Sequence, residues 1–153
     1  MTGIDDFLRR AIECRNLLQD ETVNIIERNE SKIISLNIQN IEQGLGSDGK
    51  ILKNTNKIFT GVYTLSTQLI NPTKRAGDLY NFFQTGNFLG NFEIEISSDL
   101  TKIYVYSTGT GGGEKSLFFK GYNNLFGFDL KDQKEINYNI IKPELLTFIN
   151  IYI

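Results

Sequence analysis

The stretch closest to a known chemical device is Ser107-Thr-Gly-Thr-Gly-Gly-Gly-Glu-Lys-Ser116, a glycine run that follows a strand-like segment and ends on Lys115-Ser116. A phosphate-binding loop uses that order: glycines let backbone N–H groups close on a phosphate, and Gly-Lys-Ser/Thr brings an ammonium and a hydroxyl to it. The spacing fails at one residue. Glu114 separates Gly113 from Lys115 and sets a carboxylate where the phosphate belongs, and a dinucleotide fingerprint begun at Gly109-Thr110-Gly111 needs its third glycine at the same position. Both motifs miss at Glu114, so the run reads as a surface loop between elements, suited to docking on a neighbour. A small nucleotide- or phosphate-binding protein using Gly109 to Ser116 is the alternative that nucleotide titration would separate from this reading.

Other candidate groups also favour structural roles. The chain has no histidine, which removes the commonest general acid/base, the Ser-His-Asp triad and most zinc sites together. Cys14 then lacks an activating base and reads as a helix residue at the edge of a packed face. Glu93 and Glu95 share one strand face, where a common solvated environment cannot push two pKa values apart as acid/base work requires. Asp129 and Asp132 in FDLKDQKE suit a turn or helix cap better than a metal site, and GLGSDGK is too short and too poor in carboxylates for a calcium loop. Tyr104, Tyr106 and Phe88 lack the basic stripe that accompanies a base-stacking platform, so cross-strand packing or subunit contact is the simpler reading. Neither a catalytic residue nor a cofactor or metal site is expected.

The composition is that of one ordinary globular domain. At 153 residues the chain can bury a core without disulfides or metals, and no segment is apolar enough for a bilayer. MTGIDDFLRR carries acids at once and no apolar leader core, so synthesis and folding in a cytoplasm are expected. The formal net charge of -2 is unevenly spread, with a basic middle through Lys32, Lys50, Lys53, Lys57, Lys74 and Arg75. Those cations lie in a Gly/Asn-rich region without interleaved aromatics, which fits a solvated surface better than a nucleic-acid site.

Stepping along the chain, Thr2 with Asp5 approximates a capping box, and Ile4, Phe7, Leu8, Ala11, Ile12 and Leu18 recur at helical spacing. A helix from Gly3 continuing to about Arg28 is expected. Ser31 to Leu45 fits either a helix ending at Gly44 or a strand-like KIISL followed by a helix capped at Asn37. Asp48-Gly49 marks a tight reversal. Lys50 to Asn71 reads as a partly ordered excursion with a helix near Val62 to Leu69, closed by Asn71-Pro72; the whole excursion spans about 46–77. In Asn91 to Ser98, Phe92, Ile94 and Ile96 oppose Glu93, Glu95 and Ser97; after Ser98-Asp99, Ile103 and Val105 oppose Tyr104 and Tyr106. That is a β-hairpin over about 91–107. Lys142-Pro143-Glu144 looks like a helix start with Leu145, Leu146, Ile149 and Tyr152 as its stripe, and a terminal strand over 148–153 is the alternative. In either form this apolar end is expected to be buried, in its own core or in a neighbour. The order predicts a single α+β domain over 1–153: N-terminal helices packed on a small antiparallel sheet with a central hairpin, then short C-terminal helices.

The order of motifs resembles a family. An N-terminal helix, LNIQNIEQGLGSDGKIL (Leu36 to Leu52), DLYNFFQTGNFLGNFEIEI (Asp78 to Ile96) and GYNNLFGFDLKD (Gly121 to Asp132) before an apolar end are similar to the virion-morphogenesis or tail-completion neck proteins of tailed bacteriophages, particularly those of Bacteroidetes hosts. Gly46 to Leu52 and Phe82 to Phe88 match that family's glycine-aspartate turn and its Thr-Gly element. The family's histidine or basic-aromatic segment after the hairpin, and its Pro-Ala-Arg-like segment near the end, are absent. The resemblance implies a non-enzymatic structural subunit of the virion, made in the bacterial host cytoplasm. It would form a homo-oligomeric ring between portal and tail or other neck proteins, with DNA passing through unbound and no membrane involved. Subunit-interface residues expected on that basis are Tyr63, Leu65, Gly111 and Ile151. A regulatory protein of a mobile element is a further alternative.

Overall fold

The computed structural model describes residues 3–52, 61–82, 86–109, 121–122 and 124–152. The chain is α+β, with N-terminal helices, a two-stranded antiparallel hairpin and C-terminal helices. Helix α1 spans Gly3–Arg28, with Asp5 and Asp6 in its first turn and Arg28 in its last, charges placed to favour the helix dipole. The helix ends at a one-residue joint. The Asn29 N–H donates back to the Ile25 and Ile26 carbonyls, its own carbonyl accepts from Ile33, and α2 (Glu30–Glu42) follows at once.

Of the two readings of Ser31 to Leu45, the helix ending at Gly44 is the one adopted. Ile33, Asn37 and Ile41 form its fully buried stripe at spacing four. The Leu45 N–H returns to the Asn40 carbonyl and the Gly44 N–H to that of Ile41, a Schellman closure that needs the positive φ of 73° that Gly44 supplies. The chain then reverses. Leu45 bridges Ile51, the Gly46 N–H reaches the Lys50 carbonyl, and Asp48-Gly49 forms the tip, with Gly49 at φ 70°.

The hairpin is β1 (Phe92–Ile96) and β2 (Ile103–Ser107), in the register Phe92 to Ser107, Ile94 to Val105 and Ile96 to Ile103. Glu93 faces Tyr106 and Glu95 faces Tyr104 on the outer side, as the alternation predicts. Asp99 accepts three hydrogen bonds, from the Ser97 and Thr101 hydroxyls and the Thr101 N–H, and so fixes the turn. The inner face of the hairpin joins two apolar clusters. One gathers Ile41, Leu52, Phe88, Leu89, Phe92, Val105, Tyr122 and Leu125; the other gathers Ile26, Ile33, Ile136 and Ile140, and Ile94 packs against both.

The C-terminal helix begins earlier than Lys142-Pro143-Glu144 suggests. Asp129 caps it by accepting the Asp132 N–H at 2.8 Å, and the helical run continues through α4 (Leu130–Glu135), a π-helical turn (Ile136–Ile141) and α5 (Lys142–Tyr152). Pro143 is thus inside the run. In a regular α-helix its ring would press on the carbonyl four residues back; the wider turn relieves this, and Lys142 donates five residues back to Asn137. The strand alternative at 148–152 is not adopted.

Candidate functional site

Among the described residues no three His, Cys, Asp or Glu are placed to hold a metal, and no helix is long and apolar enough to cross a membrane. Asp129 and Asp132 are divided between tasks. Asp129 is the cap; Asp132 is buried against Asn40, whose amide donates to it, and burial pushes its carboxyl above the ordinary range against the pull of that bond. Cys14 is fully packed within α1. At Gly109 a side chain would sit 2.2 Å from the Asn87 carbonyl oxygen, so close backbone packing accounts for this glycine. Gly111, Glu114 and Ser116 lie outside the described residues.

Phe88 is not part of an aromatic platform with Tyr104 and Tyr106. It is buried in the first cluster, edge-to-face with Phe92 at 5.3 Å, while Tyr106 on the outer face donates to Glu93 at 3.0 Å.

The surface is distinguished by bare apolar side chains on regular elements. The sequence pattern makes Ile4, Phe7, Leu8 and Ile12 look like a core stripe; the structure corrects this, leaving all four exposed, Ile4 at 71%. The cause is length. Helix α1 runs about 39 Å and α5 about 16 Å at 1.5 Å per residue. They are pinned together at one end, where Arg28 and Asn29 hold Glu144 at 3.0 and 2.7 Å. Helix α5 starts where α1 finishes and packs back along it, so it covers the C-terminal half and leaves the first turns as an arm. The arm's polar side is organised by ion pairs of Arg9 and Arg10 with Asp6, and of Arg9 with Glu13.

The second bare surface is α3 (Leu65–Ile70), where Leu65, Leu69 and Ile70 are 71%, 83% and 87% exposed. The segment that carries it, 61–82, is held by polar contacts. Val62 bridges Leu79; the Tyr63 N–H donates to Asp78, that of Gly77 to Tyr63 and that of Tyr80 to Gly61. Thr64 caps α3, and the Gln68 side chain accepts from the Ala76 N–H.

The expected interface residues separate accordingly. Leu65 and Ile151 are exposed, Ile151 at 73%, and the C-terminal helix has no fully buried residue, with Leu145, Phe148, Ile149 and Tyr152 half-buried. Tyr63, half-buried, braces its own segment: its ring meets Tyr80 edge-to-face at 4.9 Å, Lys74 lies 5.1 Å above it, and its hydroxyl donates to Asn81 at 3.0 Å. Leu69, Ile70 and the α1 arm escaped the sequence reading. The available signal was a 26-residue amphipathic helix with no partner of comparable length in the pattern.

Two motifs far apart in sequence meet. The Ser47 N–H donates to the Asn124 carbonyl, the Asn124 amide to Asp48 at 2.8 Å, and Asn37 reaches the Leu125 and Gly127 carbonyls. The Asn124 bond, with the Lys50 N–H, holds the Asp48 carboxyl below its ordinary range. No protein-family model, no curated protein and no solved structure matches the chain.

Proposed function

We propose that this protein acts by assembly, as a structural subunit of a tailed-phage neck or tail-completion ring joining portal to tail, without catalysis and without a bound cofactor. The observation that carries the assembly reading is the α1 arm, a regular helix that offers Ile4, Phe7, Leu8 and Ile12 to solvent while its other end is locked in the core by Ile25 and Ile26. Burying each such side chain in a neighbour contributes about 1.5–3 kcal/mol, and charged side chains would have kept the arm soluble at no cost to the fold. The α3 knob, with Leu65, Leu69 and Ile70 on a polar-braced loop, supplies a second surface away from the arm in sequence. Two different contact surfaces on one chain suit a head-to-tail interface, the kind that closes into a ring. The phage station rests on the order of motifs in the sequence alone.

The test is native mass spectrometry and negative-stain imaging of the protein alone and with a portal. A ring or a portal-bound multimer is expected, with association weakened at least tenfold in the Ile4→Ser/Leu8→Ser variant. A strict monomer that never joins the portal or tail overturns the reading.

A further inference from the structure

The edge of β1 away from β2, which no strand pairs among the described residues, borders a groove of about 670 Å³, lined by Val23, Ile26, Glu27 and Glu30 on the helical side and by Ile94 to Ser98 and Leu100 on the hairpin side. The backbone orientation there follows from the ladder. The Ser97 N–H donates to Lys102 and the Thr108 N–H to Asn91, so residues 91, 93, 95 and 97 bond inward to β2. The N–H and C=O groups of Ile94 and Ile96 therefore point outward, away from β2. The Ile94 N–H meets a Glu30 carboxylate oxygen at 3.4 Å, a long contact that stands where the carbonyl of a third strand would lie. Sheet edges left open in this way are templates for another strand.

The charge around the edge selects what can pair. Glu27, Glu30 and Glu95 have no Lys or Arg within ion-pair distance among the described residues. Their field extends over the hairpin: the Tyr106 hydroxyl is raised first by its bond to Glu93 and further by the charges of Glu93, Glu95 and Glu30. A second copy of β1 paired antiparallel about Ile94 would set Glu93 against Glu95, like charges directly opposite, which disfavours self-pairing.

We propose that this groove binds an extended segment of a partner protein, alternating apolar and lysine or arginine residues, which adds as a third strand to the β1 edge. Its backbone replaces Glu30 at the Ile94 N–H, its apolar side chains meet Val23, Ile26 and Leu100, and its cations neutralise Glu27, Glu30 and Glu95. The site is separate from the α1 arm, so it stands or falls independently of the assembly reading.

The experiment is fluorescence anisotropy of the full chain with a labelled nine-residue peptide alternating valine and lysine. Saturable binding is expected, weakening as salt rises. The Glu27→Gln/Glu95→Gln variant, which keeps the Glu30 contact and so the fold, should bind severalfold more weakly, and adding Glu30→Gln should bring the loss to about tenfold. Backbone N-methylation at alternate peptide residues should abolish binding, because it removes the edge hydrogen bonds while keeping the charge. Equal binding of the N-methylated peptide, equal binding of a valine–glutamate peptide, or no binding at millimolar peptide would each overturn the proposal. So would self-association of the chain that the Glu→Gln changes strengthen.

Discussion

The α1 arm and the body around α2 are both helical, both rich in isoleucine, and both built on apolar residues at spacings of three and four. Around α2, Ile33, Asn37 and Ile41 have no solvent exposure; along the arm, Ile4, Leu8 and Ile12 are more than half exposed. Helix propensity and pattern are alike in the two regions. They differ in what reaches them. Helix α2 is enclosed by the hairpin, by Leu52 from the turn and by Leu125, and its one buried amide is tied to the carbonyls of Leu125 and Gly127. Helix α5 ends before it can cover the arm. An apolar stripe therefore specifies that something is buried there, and the lengths of neighbouring elements decide whether the chain itself or another molecule covers it.

The difference can be broken most strongly at Leu125. Leu125→Ala removes a fully buried side chain and should cost about 2–5 kcal/mol in urea unfolding, with the midpoint shifted and the slope kept. Asn37→Ala should cost about 1–3 kcal/mol by the same measurement, because the Leu125 and Gly127 carbonyls lose their donor inside the body. Asp132→Asn should have a smaller effect of the opposite sign. The native carboxyl is raised by burial, so the folded state favours the proton. Its stabilising share is complete below the ordinary aspartate range and is lost as pH rises through the raised value. The asparagine variant should then melt higher than wild type at neutral pH and lose that advantage in acid; a pH-independent difference would show that Asp132 acts through something other than its charge. The smallest effect belongs to the arm. Ile4→Ser/Leu8→Ser should change the unfolding free energy of the dilute protein by less than about 0.5 kcal/mol while weakening association. A cost above about 1 kcal/mol in the dilute protein would mean that the arm is core after all.

What the sequence makes legible is local chemistry. The extent of α1, the two faces of the hairpin and the Asp48-Gly49 reversal each depend on residues within a few positions of one another and are found as expected, and of the two readings of Ser31 to Leu45 the one ending at Gly44 is taken. Asp129 as a cap belongs with them. The exposure of the arm, the Tyr63–Lys74–Asn81 brace and the stitching of the 46–49 turn to Asn124 depend on residues 7 to 116 positions apart, for which a period or a spacing carries no signal. The early start of the last helix was hidden for another reason. Lys142-Pro143-Glu144 is a good first turn in isolation, and only a π-helical turn, which has no simple composition, lets it lie inside a longer helix.

That turn also aims the end of the molecule. It winds one more residue into the helix than α-helical geometry would, which rotates everything after it by about 100° relative to an uninterrupted helix. The azimuth of Leu146, Ile151 and Glu144 is thus set by a count. Straightening the turn into regular α-helix with every residue kept would swing α5 by more than a quarter of a revolution, pull Glu144 away from Arg28 and drive Pro143 into the backbone. The surplus residue works as an adjusting screw: it decides which side of the last helix meets α1 and which side the molecule offers to its surroundings.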